Sequence, residues 1–188
     1  MLTTISTPTQ RGSSLLEVMV TVVILTFGLL GLAGLQARMQ VSQMDAYQRS
    51  QALMLLDDMA NRIGTNRSAA ASYVTATPLG TGATCTTTTT SSRQVVDACE
   101  WSEALLGAAE TASGSGSKVG AMLGGRGCVE DLGNNEFMVT VAWQGTGPIA
   151  APPVSVACGA NLYNSGNTCA LDRCRRTVTT IVRIAKLT

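Results

Sequence analysis

One carboxylate stands alone in the apolar stretch that opens the chain. From Ser13 to Leu35 the sequence reads SSLLEVMVTVVILTFGLLGLAGL, 23 residues in which Glu17 is the only charge. A carboxylate in a membrane helix costs about 2.5–3.5 kcal/mol at mid-bilayer, less near the edge, and ordinarily has a partner. This stretch holds none. Arg11 and Gly12 precede it, at the end of a short polar leader, residues 1–12. A secretory signal peptide is cut after its apolar part, which is then lost. A cut between Gly12 and Ser13 would instead keep the apolar part and free an amine at Ser13, four residues before Glu17. The carboxylate of one subunit then has a complement in the amine of the next, where low dielectric makes opposite charges stabilise each other.

The other residues that could do chemistry point away from catalysis. Histidine is absent, which excludes serine–histidine triads, cysteine–histidine dyads and most catalytic zinc sites. No catalytic residue, metal site or cofactor is expected. Glu130 and Asp131 lack the alternating oxygen ligands of a calcium loop and read as hairpin charges beside a turn. GAMLGGRG is not followed by Gly-Lys-Ser/Thr, so it is no phosphate loop. Arg173, Arg175, Arg176, Arg183 and Lys186 put five cations near the C-terminus. No aromatic residues interleave them for base stacking, so they read as the solvent edge of a strand or a subunit contact rather than a DNA site. The six cysteines, Cys85, Cys99, Cys128, Cys158, Cys169 and Cys174, all follow the apolar stretch. An even number without C-x-x-C spacing reads as a disulfide framework in an oxidising compartment. Each bridge contributes about 2–4 kcal/mol, mainly by constraining the unfolded chain.

The elements that must position these residues follow in order. Ser13–Leu35 is long enough to span a bilayer. Without Pro or Gly from Gln36 to Ile63, the helix is expected to continue to about residue 63, roughly 70 Å at about 1.5 Å per residue, with Gly64 placed to stop it. Ala52, Leu55, Leu56, Met59 and Ile63 form its apolar face. Gln48, Arg49, Asp57, Asp58 and Arg62 are expected on a solvated face. Residues 64–118 read as a connecting region: a Thr-rich loop held by Cys85 and Cys99, then a short helix over 97–112 capped by Asp97 or Ser102. Residues 119–188 read as an antiparallel sheet with a Cys-rich C-terminal part. GRGCVEDL is the expected first strand, and Gly133, Asn134 and Asn135 form a turn. Phe137, Val139, Val141 and Trp143 share one face of the next strand, and Val178, Thr180, Val182 and Ile184 one face of the last. The fold class is α+β: a long helix whose apolar stripe packs on a sheet. A net charge of +1 gives no global field for nucleic acid.

RGSSLLEVMVTVVIL resembles the class III leader and N-terminal segment of type IV pilins. In that family a prepilin peptidase cuts after the Gly and methylates the new amine, and assembly needs the Glu at the fifth mature position. The resemblance implies cleavage at Gly12, methylation of Ser13 and an assembly role for Glu17. Ser13 stands where Phe is usual, and Gly34 where major pilins carry Pro. FGLLGLAGLQ, SQALMLLDDMANRIGTNR and VTVAWQG are similar to the PilV subgroup of minor pilins. Nearness and the resemblance together imply the pairs Cys85–Cys99, Cys128–Cys158 and Cys169–Cys174. The resemblance further implies a single-pass inner-membrane protein with a periplasmic head, later part of a cell-surface pilus that supports adhesion and twitching motility. Its implied partners are membrane lipid, prepilin peptidase, the inner-membrane assembly platform, other minor pilins and the major pilin.

Three other readings fit parts of the sequence. A plain single-pass anchor would make Gly12, Glu17 and the missing basic cluster coincidental. A type II secretion pseudopilin would share the leader, but FGLLGLAGLQ and the cysteine-rich C-terminal part argue against it. A membrane-tethered enzyme would need a nucleophile–base pair that the sequence does not offer.

Overall fold

The computed structural model describes residues 13–108, 111–115, 117, 118, 120 and 122–185. The leader, with Gly12, lies outside the described residues, as does Lys186. One helix, α1, runs from Ser13 to Thr65. The chain divides into two compact units, residues 1–43 and 44–188. The described part of the first unit is α1 alone. Every side chain from Ser14 to Gln43 is exposed, and the stretch is long and apolar enough to cross a membrane.

In the second unit α1 continues from Met44 and buries a stripe. Ala52, Leu56, Met59 and Ile63 are inside, with Leu55 half-buried beside them. The spacing is that of one helix face. A short 3-10 helix, Arg67–Tyr73, follows. Then come β1 (Leu79–Gly80), α2 (Arg93–Leu105), β2 (Arg126–Gly133), β3 (Glu136–Gln144) and β4 (Arg175–Arg183). The strands form one antiparallel sheet in the order β1-β2-β3-β4. Gly133 and Glu136 close the β2–β3 hairpin across Asn134 and Asn135, both with positive φ (53° and 61°). A two-residue turn of that hand matches the twist of the strands, and Asn tolerates it better than most residues.

β3 is the centre of the head. Phe137, Val139, Val141 and Trp143 face the α1 stripe and α2, all buried. On its other side Ala142 is covered by Cys128, Cys158 and Tyr163. The strand is therefore buried on both faces from Val139 to Trp143. Trp101 of α2 is fully buried, and its indole N–H donates to the Leu55 carbonyl of α1 at 2.8 Å. Its ring lies over Gly127 of β2, where any Cβ would overlap it. Only glycine permits that approach.

Three expectations are corrected. The short helix spans Arg93–Leu105 instead of 97–112, with Ser92 at its N-cap position. Asp97 and Ser102 are buried within it and committed elsewhere; Ser102 Oγ accepts from the Gly80 N–H of β1 at 3.0 Å. Gly107, at φ 82°, ends the helix before SGSGSK, as a left-handed residue does. The first strand of the sheet is β1, inside the region read as connecting loop. Gln48 and Arg62 leave the expected solvated face: Gln48 is buried, and Arg62 joins α1 to α2.

Candidate functional site

Residues 13–43 carry the first candidate. Ser13 opens α1 and Glu17 is one turn further on. The Glu17 side chain is exposed. Beyond it the helix has no ionisable residue until Arg38. The hydroxyls of Thr21 and Thr26 donate back to the Val18 and Val23 carbonyls at 2.9 and 2.8 Å. Polar groups bonded within the helix are the kind an apolar medium admits. Glu17 is different: among the described residues it makes no hydrogen bond or ion pair. It is a carboxyl group on an otherwise apolar stretch of helix.

A second cluster lies where α1, the 3-10 helix and α2 meet. The carboxylate of Asp97, almost wholly buried, accepts from Arg62 Nη1 at 3.0 Å and from Tyr73 OH at 2.5 Å. Arg93 reaches the same carboxylate at 2.8 Å. Arg62 also donates to Glu100 at 2.6 Å and to Asp58 at 3.0 Å. Asn66 donates to the Tyr73 oxygen at 3.1 Å. Burial alone would lower the pKa of Arg62, but the carboxylates of Glu100, Asp58 and Asp97 outweigh it and raise the guanidinium above its ordinary value. Tyr73 is also raised, first by burial and then by its bond to Asp97. The network ties α1, the 3-10 helix and α2 together through one buried carboxylate.

The C-terminal basic run is dispersed by the fold. Arg175 is buried, donates to the Val156 and Cys158 carbonyls at 2.7 and 3.0 Å, and pairs with Asp172 at 3.2 Å. Arg176 donates to the Gly147 carbonyl at 2.5 Å, and burial lowers its pKa. Arg183 pairs with Glu136 at 2.6 Å. Arg173 remains exposed. The carboxylates disperse likewise. Glu103 pairs with Lys118, and Asp131 accepts from the Gly133 N–H at 2.8 Å. Among the described residues no three His, Cys, Asp or Glu side chains group to hold a metal ion.

The six cysteines form three bridges, Cys85–Cys99, Cys128–Cys158 and Cys169–Cys174, with Cα separations of 5.4, 5.8 and 5.0 Å. The first ties the Thr-rich loop to α2, the second ties β2 to the loop after β3, and the third closes the turn before β4. The Arg62–Asp97 cluster had no local signal in the sequence, because its members lie 35 residues apart. That Asp97 is buried is recognisable only once the packing is known.

Comparison with protein families yields two adjoining matches. Residues 7–33 match the prokaryotic N-terminal methylation motif, and residues 34–104 match the Tt1218-like family, described as type IV pilin Tt1218. No curated protein matches the chain, and no solved structure does. The first match covers the start of α1 with Glu17; the second covers the rest of α1 through α2, including Arg62, Asp97 and the Cys85–Cys99 bridge. Together with the α+β architecture, these matches make the chain a member of the type IV pilin family.

Proposed function

We propose that the chain is a minor type IV pilin of the PilV kind, cut after Gly12, methylated at Ser13 and drawn into a pilus through Glu17. The observation that carries this is the isolation of Glu17: one unpartnered carboxylate, one turn from Ser13, on an apolar helix inside the methylation-motif match. A charge so placed favours whatever supplies its complement, and the freed amine of a neighbouring subunit is of the right sign and depth. Before assembly the apolar helix holds the protein in the inner membrane with the disulfide-bonded head in the periplasm. After assembly the head is part of a cell-surface pilus, in a priming or tip complex with other minor pilins on the major pilin, and it supports adhesion and twitching. Prepilin peptidase and the inner-membrane assembly platform are its processing and assembly partners.

The test has two parts. Intact mass and N-terminal peptide mapping of protein from native membranes is expected to find a chain beginning at methylated Ser13. A chain still carrying residues 1–12 in cells with active prepilin peptidase overturns the processing step. Glu17→Ala is expected to remain in the membrane fraction and vanish from sheared pili, with Glu17→Asp partly retained. Loss of protein secretion rather than of twitching in a deletion strain would assign the chain to a secretion pseudopilin.

A further inference from the structure

Glu17 and Arg38 stand 21 residues apart on α1, and no ionisable residue lies between them. The helix is continuous through both, so at about 1.5 Å per residue their levels on it differ by about 31 Å. A hydrocarbon layer is about 30 Å thick. Both side chains are exposed, as is every side chain between them. Within this interval the hydroxyls of Thr21 and Thr26 are bonded back to the helix. The charges that bound the apolar interval therefore fall where a bilayer ends.

A placement centred on composition alone would differ. Ser13–Leu35 has Ile24 at its middle, and that register would hold Glu17 about 6 Å inside one edge. The two charges tolerate such displacement unequally. An arginine can lie below the surface and reach out along its long stem, whereas a glutamate has two methylenes and little reach. Glu17 thus fixes its end of the helix, and Arg38 answers at the other. We infer that Glu17 and Arg38 mark the two faces of the bilayer, with Phe27 and Gly28 at its centre and Ser13–Leu16 among the headgroups. An amine freed at Ser13 then emerges at headgroup level, beside water. Glu17 likewise stays hydrated until a neighbouring subunit covers it. This inference rests on the membrane-anchoring part of the function proposed above.

Depth measurement on the full-length chain tests it. All six native cysteines are bridged, so without reductant a nitroxide maleimide labels only an introduced thiol. Met19→Cys, Val23→Cys, Phe27→Cys, Gly31→Cys and Leu35→Cys, four residues apart and so on one side of the helix, are each reconstituted into phosphatidylcholine–phosphatidylglycerol vesicles. Relaxation of the label by oxygen relative to a water-soluble nickel complex reads its depth. The greatest depth is expected at position 27, with 19 and 35 equally shallow. Greatest depth at 23, with 35 shallower than 19, overturns the bracketing in favour of a centre at Ile24. Adding Arg38→Leu to the Phe27→Cys and Gly31→Cys variants is expected to release the far end and carry position 31 to at least the depth of 27. An unchanged order of those two positions overturns the role of Arg38. Labels that show no preference for oxygen at any position overturn the membrane reading itself, which separates its failure from that of the register.

Discussion

Arg62 of α1 and Asp97 of α2 meet at 3.0 Å across 35 residues of chain, with the carboxylate almost wholly buried. Tyr73 and Arg93 converge on the same carboxylate. Removing it would strand a tyrosine hydroxyl and one of the arginine contacts in the interior. Breaking a buried pair by deleting one partner costs about 3–5 kcal/mol; the half-exposed Asp58 and Glu100 retain part of Arg62, so Asp97→Ala is expected near the lower end. Asp97→Asn keeps an acceptor for Tyr73 and is expected to cost less. Urea unfolding of the full chain in detergent, followed by near-ultraviolet circular dichroism, measures both.

Gly127 is the second point of leverage. The Trp101 ring occupies the space a Cβ would take, and Leu105 Cδ1 lies 2.7 Å from that position. Gly127→Ala must displace the indole and strain its bond to the Leu55 carbonyl. Overpacking of this kind costs about 1–3 kcal/mol. The expected outcome is a lowered melting temperature with a changed tryptophan near-ultraviolet signal. Gly82→Ala, where nothing lies within 4 Å, tests the contrary case of open space at positive φ, and its tryptophan signal is expected to stay unchanged.

The Cys128–Cys158 bridge closes 30 residues and roofs the second face of β3 beside Tyr163. In the chain-entropy account a loop of that length is stabilised by about 3–4 kcal/mol. Cys128→Ser with Cys158→Ser is therefore expected to lower stability more than Cys169→Ser with Cys174→Ser, whose loop spans only 5 residues. Denaturant midpoints of the two double variants, compared under non-reducing conditions, decide it.

Tyr163 gives a pH signature. Burial pushes its phenol above the ordinary value of 10.0, against the opposing influence of Arg126. Its hydroxyl donates to the Gly124 carbonyl at 2.8 Å. The folded state thus holds this proton more firmly than the unfolded chain does. The associated stability is complete below pH 10 and is lost as pH rises from there through the folded-state pKa. Tyr73 acts in the same direction. Stability is expected to fall on the alkaline side of pH 10, and Tyr163→Phe to flatten part of that slope. Unfolding midpoints from pH 8 to 11, beside phenolate absorbance, check the sign.

Where side-chain periodicity is the cause of structure, the sequence is readable. The alternation of Phe137, Val139, Val141 and Trp143 marks β3 and its buried face, and Ala52, Leu56, Met59 and Ile63 mark the stripe of α1. Where a tertiary partner is the cause, it is not. β1 is two residues and has no period; it exists because Gly80 meets Ser102 and β2. Arg175 reads as one cation in a basic run, yet it is buried because two carbonyls of a distant loop need a donor. Gln48 sits beside Arg49 in a polar stretch, and only the position of the head decides which of them is covered. For the candidate site, Glu17 is legible because its oddity is local: one charge in an apolar run.

The three disulfides join each cysteine to the next one along the chain, without nesting or crossing. An oxidant that meets the polypeptide as it emerges, linking every second thiol to the one before it, therefore arrives at this set directly. Such a chain has no need of a step that reopens wrong pairings. Its oxidation can keep pace with the emerging chain, so that β4 arrives at a sheet whose earlier covalent ties are already made.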